Sequence, residues 1–315
     1  MRIVTAREID AALTFPAMVD ALREAFVAGF HAPHRHHHEI ARAGVATATA
    51  LLMPAWTRGA PGEGAYLGVK IVSVFPDNGA RGLPAIQGVY LLQDGATGEA
   101  LAVMDGKRLT VWRTACASAL AARALARKDA RRLALIGAGA LAPFLARAHA
   151  AVRPIREVTI WNRSEAGARK LADDLSGEFD VSVAADPRAA VESADVISCA
   201  TLSREPLVKG AWLRPGQHLD LVGAFNLSMR EADDEALRRA RVFVDTDGAL
   251  SEGGDVAVAI KSGAYSADRV EGDLASLSRG EAARGSDEEI TLFKSVGASV
   301  EDLAAAMLVW RRLNG

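Results

Sequence analysis

The chain has 315 residues, half of them hydrophobic and 24% charged, with a formal net charge of -2. That length accommodates two domains with real cores, while the balanced charge gives no electrostatic footprint for nucleic acid or an anionic membrane. Two cysteines, Cys116 and Cys199, lie in apolar or small-residue segments. They exclude a disulfide framework, and no apolar run is long enough to span a bilayer.

The opening MRIVTAREID lacks the apolar core of a signal peptide, so a cytoplasmic protein is expected. Residues 31–40, HAPHRHHHEI, then gather five of the seven histidines. Imidazole is the commonest metal ligand, and a helical zinc pair would use His34 and His38. Only Glu39 is at hand to complete such a set, and Pro33 favours an extended or turning chain. The segment therefore reads as a solvated run with no metal, and Arg35 within it is the better candidate for function.

Next come YLGVKIVSVFP, AIQGVYLLQD and EALAVMD, separated by the turn compositions DNGARG and GATG. They read as neighbouring antiparallel strands of one sheet. Lys70 shares a strand face with Gly68 and Val72, opposite Val69 and Ile71; such a lysine lies at an edge, snorkels, or faces a polar pocket. The helix VWRTACASALAARALARK follows, with Thr110 as its N-cap and Arg113 in its first turn. The positive end of the helix dipole disfavours an arginine there unless an anion binds, which marks Arg113 as a carboxylate ligand.

From Arg131 to Asp247 short β-like runs alternate with helical patterns: RLALIG, EVTIWN, VSVAA, ADVISCAT, QHLDLVG and RVFVDTD are the strands. This alternation implies βαβ units, a parallel sheet and a dinucleotide-binding architecture. LIGAGALA places Gly137, Gly139 and Ala142 in G-x-G-x-x-A spacing between a strand and a helix, where backbone amides can meet a pyrophosphate. The second strand ends in Asn162, Arg163 and Ser164, where an NAD-specific fold puts an acid. Arg163 can pair with a 2′-phosphate and Ser164 can donate to it, so NADP(H) is preferred and NAD(H) is possible. READDEALRRA reads as a helix. DTDGALSEGGD offers Asp245, Asp247, Glu252 and Asp255, whose spacing fits no calcium loop; it reads as a polar loop at the carboxyl ends of the strands. SVEDLAAAMLVWRRL is a final helix with Ser299 as N-cap and an apolar stripe of Leu303, Met307 and Trp310.

Several segments in order, among them LMPAW, GVKIVSVFPDN, GLPAIQGVYLLQDGATGEALAVMDG, LTVWRTACASALAA, LIGAGALA, WNRS, MREADDEAL and FKSVGASVEDLAAA, resemble the ornithine cyclodeaminase/mu-crystallin family over nearly the whole chain. The resemblance implies an α/β fold: a Rossmann NADP(H)-binding domain, residues 119–296, plus a β-rich substrate and dimerisation domain, residues 1–118 with 297–315. It implies a homodimer packed through the β-rich domains and a small α-amino, α-imino or α-keto acid as partner. Arg35, Lys70 and Arg113 correspond to the family's carboxylate ligands. Cofactor contacts are implied at Thr114, Ala140, Leu141, Thr201 and Ser295, beside Gly137, Gly139, Asn162, Arg163 and Ser164.

Two departures bear on the chemistry. Where cyclodeaminases carry a glutamate before LMP, this chain has Leu51; where the family carries aspartates after the fifth Rossmann strand, it has Phe225 and Ser228. Cyclodeamination needs a positioned acid/base at several steps, whereas reduction of an imine that arrives protonated mainly needs orientation. The expected activity is therefore reduction of a cyclic imino acid of the ketimine or pyrroline-2-carboxylate type, with Lys70 and Ser228 as catalytic candidates. The alternatives are an ammonia-releasing ornithine cyclodeaminase and a non-catalytic NADP(H)-binding protein.

Overall fold

The computed structural model describes residues 1–58 and 64–314. They form two compact units, Met1–Arg113 with Ala298–Gly315, and Thr114–Gly297. The first break falls at Arg113, not at the expected 118/119, inside the helix Gly106–Leu125. Arg113 belongs with the first unit because its guanidinium is bound to Glu301 and Asp302.

The first unit is built on one sheet. Its strands are β1 (Arg2–Val4), β2 (Phe30–His31), β3 (His36–Ile40), β4 (Ala48–Thr57), β5 (Tyr66–Val74), β6 (Ile86–Asp94) and β7 (Ala100–Asp105). The order is β1-β7-β6-β5-β4-β2, with β3 also on β4. β4 to β7 form an antiparallel meander, as the turn chemistry between their sequences suggests. Side chains alternate between faces with period two. Met53, Lys70, Tyr90 and Met104 lie in one buried row across the sheet, whereas Leu52, Ile71 and Val89 form an exposed row on the opposite face. The helix Ser299–Asn314 packs on β4, β5 and β6, burying Leu303 and Met307.

The helix Gly106–Leu125 begins earlier than Thr110. Asp105 accepts from the Arg108 amide (2.9 Å) and so caps it, while the Thr110 hydroxyl turns back to the Gly106 carbonyl (2.7 Å). Arg113 thus sits beyond the first turn, and the dipole argument for it fails. Gly106 is needed here because a Cβ would lie 2.9 Å from the Gly88 and Val89 backbone.

The second unit carries eight strands, all paired parallel: β8 (Arg132–Ile136), β9 (Glu157–Trp161), β10 (Asp180–Val183), β11 (Val196–Cys199), β12 (His218–Leu221), β13 (Arg241–Val244), β14 (Val270–Asp273) and β15 (Thr291–Lys294). The order β10-β9-β8-β11-β12-β15-β13-β14 reverses direction between β8 and β11. Such a switch point is where open α/β sheets bind ligands. β11, β12 and β15 are buried at every position, as expected of central strands covered on both faces, and the polar residues they carry, among them His218, Asp220 and Lys294, are buried with them. Cys116 and Cys199 are free and buried, and burial pushes both thiols up. Among the described residues no helix is long and apolar enough to cross a membrane.

Candidate active site

In the first unit the sheet's buried row ends in a charge cluster. Lys70 is 3% exposed, and its ammonium lies 2.7 Å from Asp302 and 3.5 Å from the Thr110 hydroxyl. Arg113 binds Glu301 at 2.6 Å and approaches Asp302 at 3.2 Å. Both carboxylates are fully buried. They stand in the first turn of the C-terminal helix, where the dipole favours acids. Sequence reasoning does not single them out, although the adjacent pair is visible in SVEDLAAA. Burial and the neighbouring Arg113 lower the Lys70 pKa to about 8, with Asp302 opposing. Beside it stands Tyr90, whose hydroxyl is buried without a hydrogen-bond partner among the described residues and whose pKa burial raises. Gly68 makes room for that ring, since a Cβ there would lie 2.0 Å from the hydroxyl.

Arg35 is half-buried immediately before β3. Extending the β3–β4 register by one residue sets it opposite Met53, which is paired with Lys70. Two strand spacings, about 10 Å, then separate Arg35 from Lys70 on one sheet row. The histidines after it are exposed. They lie on a strand, so His34 and His38 share no helix face. Leu51 alternates onto the buried face with Met53, so a leucine stands where a cyclodeaminase-type glutamate would face Lys70.

In the second unit, β8 is followed by Gly137 at φ 111°, a backbone conformation suited to glycine. A Cβ there would lie 2.8 Å from the Ala200 carbonyl. Gly139 and Ala140 are exposed residues beside half-buried Leu141, and none of their three amides donates within the described protein. They stand at the start of the helix Ala142–Val152, with Pro143 in its first turn. Free amides at a helix N-terminus are an anion cradle. Asn162 accepts from the Ala138 amide at 3.3 Å and so ties the end of β9 to this loop, while Ser164 caps the helix Glu165–Leu175. Arg163 is exposed, at a groove of about 1020 Å3 that it lines with Asn162, Arg169 and Val183. These features fit a dinucleotide: its pyrophosphate at the free amides and its adenosine half at the groove.

Other expected contacts are placed differently. Thr114 is half-buried within its helix. Ser295 is 3% exposed, and its amide donates to the Leu221 carbonyl at 3.1 Å. The Thr201 hydroxyl and amide both donate to Glu231, at 2.9 and 2.6 Å. Ser228 is exposed, and its hydroxyl donates to the Asn226 side chain at 2.8 Å. This is a local Asx-type turn at the surface of the segment after β12.

Sequence reasoning missed Glu231. It placed READDEALRRA on a helix, but the helix begins at Asp234 with Asp233 as its cap, leaving Glu231 outside it, just before the bridge of Ala232 to Val208. The D-D-E run after it was the available signal. DTDGALSEGGD is likewise only partly a polar loop. Asp245 is fully buried, accepting from Val296 (2.8 Å) and Gly297 (2.6 Å). Asp255 is also fully buried, 3.1 Å from the Lys294 ammonium.

The sequence pattern of the ornithine cyclodeaminase/mu-crystallin family matches residues 2–315. The chain belongs to this family. It is 42% identical over 276 residues to a Delta(1)-pyrroline-2-carboxylate reductase of Paracoccus denitrificans, covering 86% of each chain. Among solved structures it resembles the Thermococcus litoralis Delta(1)-pyrroline-2-carboxylate reductase in complex with NADH and L-proline, with TM-score 0.92 and 32% identity over 99% of this chain and 97% of that one. It also resembles an archaeal alanine dehydrogenase dimer with bound NAD, with TM-score 0.91 and 30% identity over 99% and 95%.

Proposed function

We propose that this protein reduces the C=N bond of a small cyclic imino acid of the pyrroline-2-carboxylate type, using NADPH in preference to NADH. The observation that carries this reading is the buried Lys70–Arg113 pair, held by Glu301 and Asp302 on the inner face of the sheet. A guanidinium fork and an adjacent ammonium suit a carboxylate, and Arg35 extends the same row. The kinship with reductases of this class supports the same conclusion.

The chain's own contribution is binding, orientation and proton supply. Arg113 and Lys70 fix the carboxylate, which sets the plane of the imine. With its pKa at about 8, Lys70 is still mostly an ammonium at neutral pH and a better acid than an exposed lysine. It is therefore the proton source for an imine nitrogen that does not arrive protonated. A nicotinamide, when bound, supplies the hydride. Leu51 stands on this face where the resemblance expects the glutamate of a cyclodeaminase, which weighs against cyclodeamination.

NADP(H) preference rests on Arg163 at the groove. We also assign a homodimer to the outer sheet face, where Leu52 (37% exposed), Ile71 (42%) and Val89 (43%) form a contiguous apolar row. A patch of this kind marks an interaction surface. The expected location remains cytoplasmic.

The test is a panel of pyrroline-2-carboxylate, piperideine-2-carboxylate, pyruvate with ammonia, and ornithine, each with NADPH and NADH. The proposal expects rapid NADPH oxidation with the cyclic imines. Ammonia release from ornithine as the faster reaction would overturn it.

A further inference from the structure

We propose that Glu231 is a positioning residue for the nicotinamide half of the cofactor site, holding the loops after β11 and β12 at the carboxyl edge of the parallel sheet. The inference rests on the reading that the second unit binds a nicotinamide dinucleotide. Glu231 is fully buried, and one carboxylate gathers donors from two strand ends. One oxygen accepts from the Thr201 amide (2.6 Å) and hydroxyl (2.9 Å), just beyond β11. The other accepts from the amides of Gly223 (2.6 Å) and Ala224 (3.2 Å), just beyond β12.

The two loops are in close contact there. A Cβ on Gly223 would lie 2.1 Å from the Thr201 carbonyl oxygen and 2.5 Å from the Glu231 carboxylate. A third strand end joins from behind. The Glu231 amide donates to Asp255 (2.7 Å), which pairs with Lys294 at the end of β15. With the pyrophosphate at the loop after β8, the far half of a dinucleotide crosses the switch point onto the ends of β11 and β12. Glu231 lies behind that floor and sets its shape.

Its charge state decides whether the floor holds. An ionised carboxylate accepts all four donors; a neutral carboxyl carries a proton that must face one of them. The titratable groups facing Glu231 are Lys294, Asp255 and the Cys199 thiol. Burial raises the Glu231 pKa to about 7, with Lys294 opposing and Asp255 adding to the rise. Two opposite pH trends follow. A raised folded pKa contributes stability that is present below the unfolded value and lost as pH rises through the folded one, so the cofactor-free fold loses this contribution between about pH 4 and 7. Cofactor affinity runs the other way: it needs the ionised floor and weakens as pH falls below neutral.

NADH is the probe, because it lacks the 2′-phosphate that titrates in this range, and quenching of intrinsic fluorescence reports its dissociation constant. For the wild type that constant should rise as pH drops below 7, approaching about tenfold per unit. Glu231→Gln should bind NADH at least tenfold more weakly at pH 8, with no pH slope. Glu231→Asp, which keeps the charge but shortens the reach, should bind weakly and keep the slope; it also serves if the glutamine variant fails to fold. A slope that persists in Glu231→Gln, or a flat Glu231→Asp, overturns the proposal while leaving imine reduction intact. No NADH binding by the wild type would sink the dinucleotide reading itself.

Discussion

In the antiparallel unit two cations and two carboxylates are buried together, Lys70 and Arg113 against Glu301 and Asp302. In the parallel unit one lysine, Lys294, faces Asp255 beside Glu231. The carboxylates of the second cluster are solvated by the backbone: four donors reach Glu231, three of them amides, and two amides reach Asp255. Glu301 and Asp302 instead take the guanidinium and the ammonium as their principal partners. The first cluster is therefore an arrangement of side chains held mainly by one another, which a further carboxylate can join, while the second is wired into the main chain and shapes loops.

The sharpest way to break this comparison is to remove one cation from each cluster. Arg113→Ala deprives two buried carboxylates at once. Breaking a buried pair costs about 3–5 kcal/mol, so the melting temperature should fall clearly. Apparent substrate affinity, titrated with cofactor saturated, should drop a hundredfold or more, and Arg113→Lys should recover little of it. Lys294→Met should cost about 2 kcal/mol or less, since backbone amides still solvate Asp255. Imino-acid KM should be unchanged in that variant. Equal damage from both would erase the distinction.

A smaller effect sharpens the electrostatics of the first cluster. Asp302 holds the Lys70 pKa up against burial and Arg113. In Asp302→Asn the pKa should fall below about 8, and the basic limb of the kcat/KM profile, along which the ammonium is lost, should move to lower pH. A limb that stays in place would remove Lys70 from the proton inventory. The smallest effect belongs to the other edge of the parallel sheet. Arg163→Ala should weaken NADPH binding roughly tenfold through loss of one charge-assisted contact, with NADH binding unchanged.

How much of this was legible before folding differs between the two units. The glycine loop, Asn162 and Arg163 were readable because local sequence builds that site: a strand, a tight turn and a helix start within a few residues. Lys70 and Arg113 stood out as charges within apolar patterns. Their partners did not, because Glu301 and Asp302 come from the far end of the chain, and an acidic first turn is also what any exposed helix shows. Thr110 was misread as a cap because Asp105, the true cap, looked like the end of a strand. β14 and β15 were missed; four residues such as TLFK carry no periodicity that distinguishes a buried strand. Glu231 was hidden by the helical composition around it, although its neighbours Asp233 and Asp234 mark where the helix starts.

The place of β15 in the sheet has a consequence for how the protein is made. Residues 291–294 form the strand that separates β12 from β13, so those two cannot take their final spacing until it is inserted. The antiparallel unit likewise includes the helix Ser299–Asn314. Neither unit is complete until these segments, Thr291–Lys294 and Ser299–Asn314, are in place. Until then β13 has an unpaired edge, the kind of surface on which nascent chains associate with one another. A folding intermediate that lacks β15 is therefore the aggregation-sensitive form of this protein.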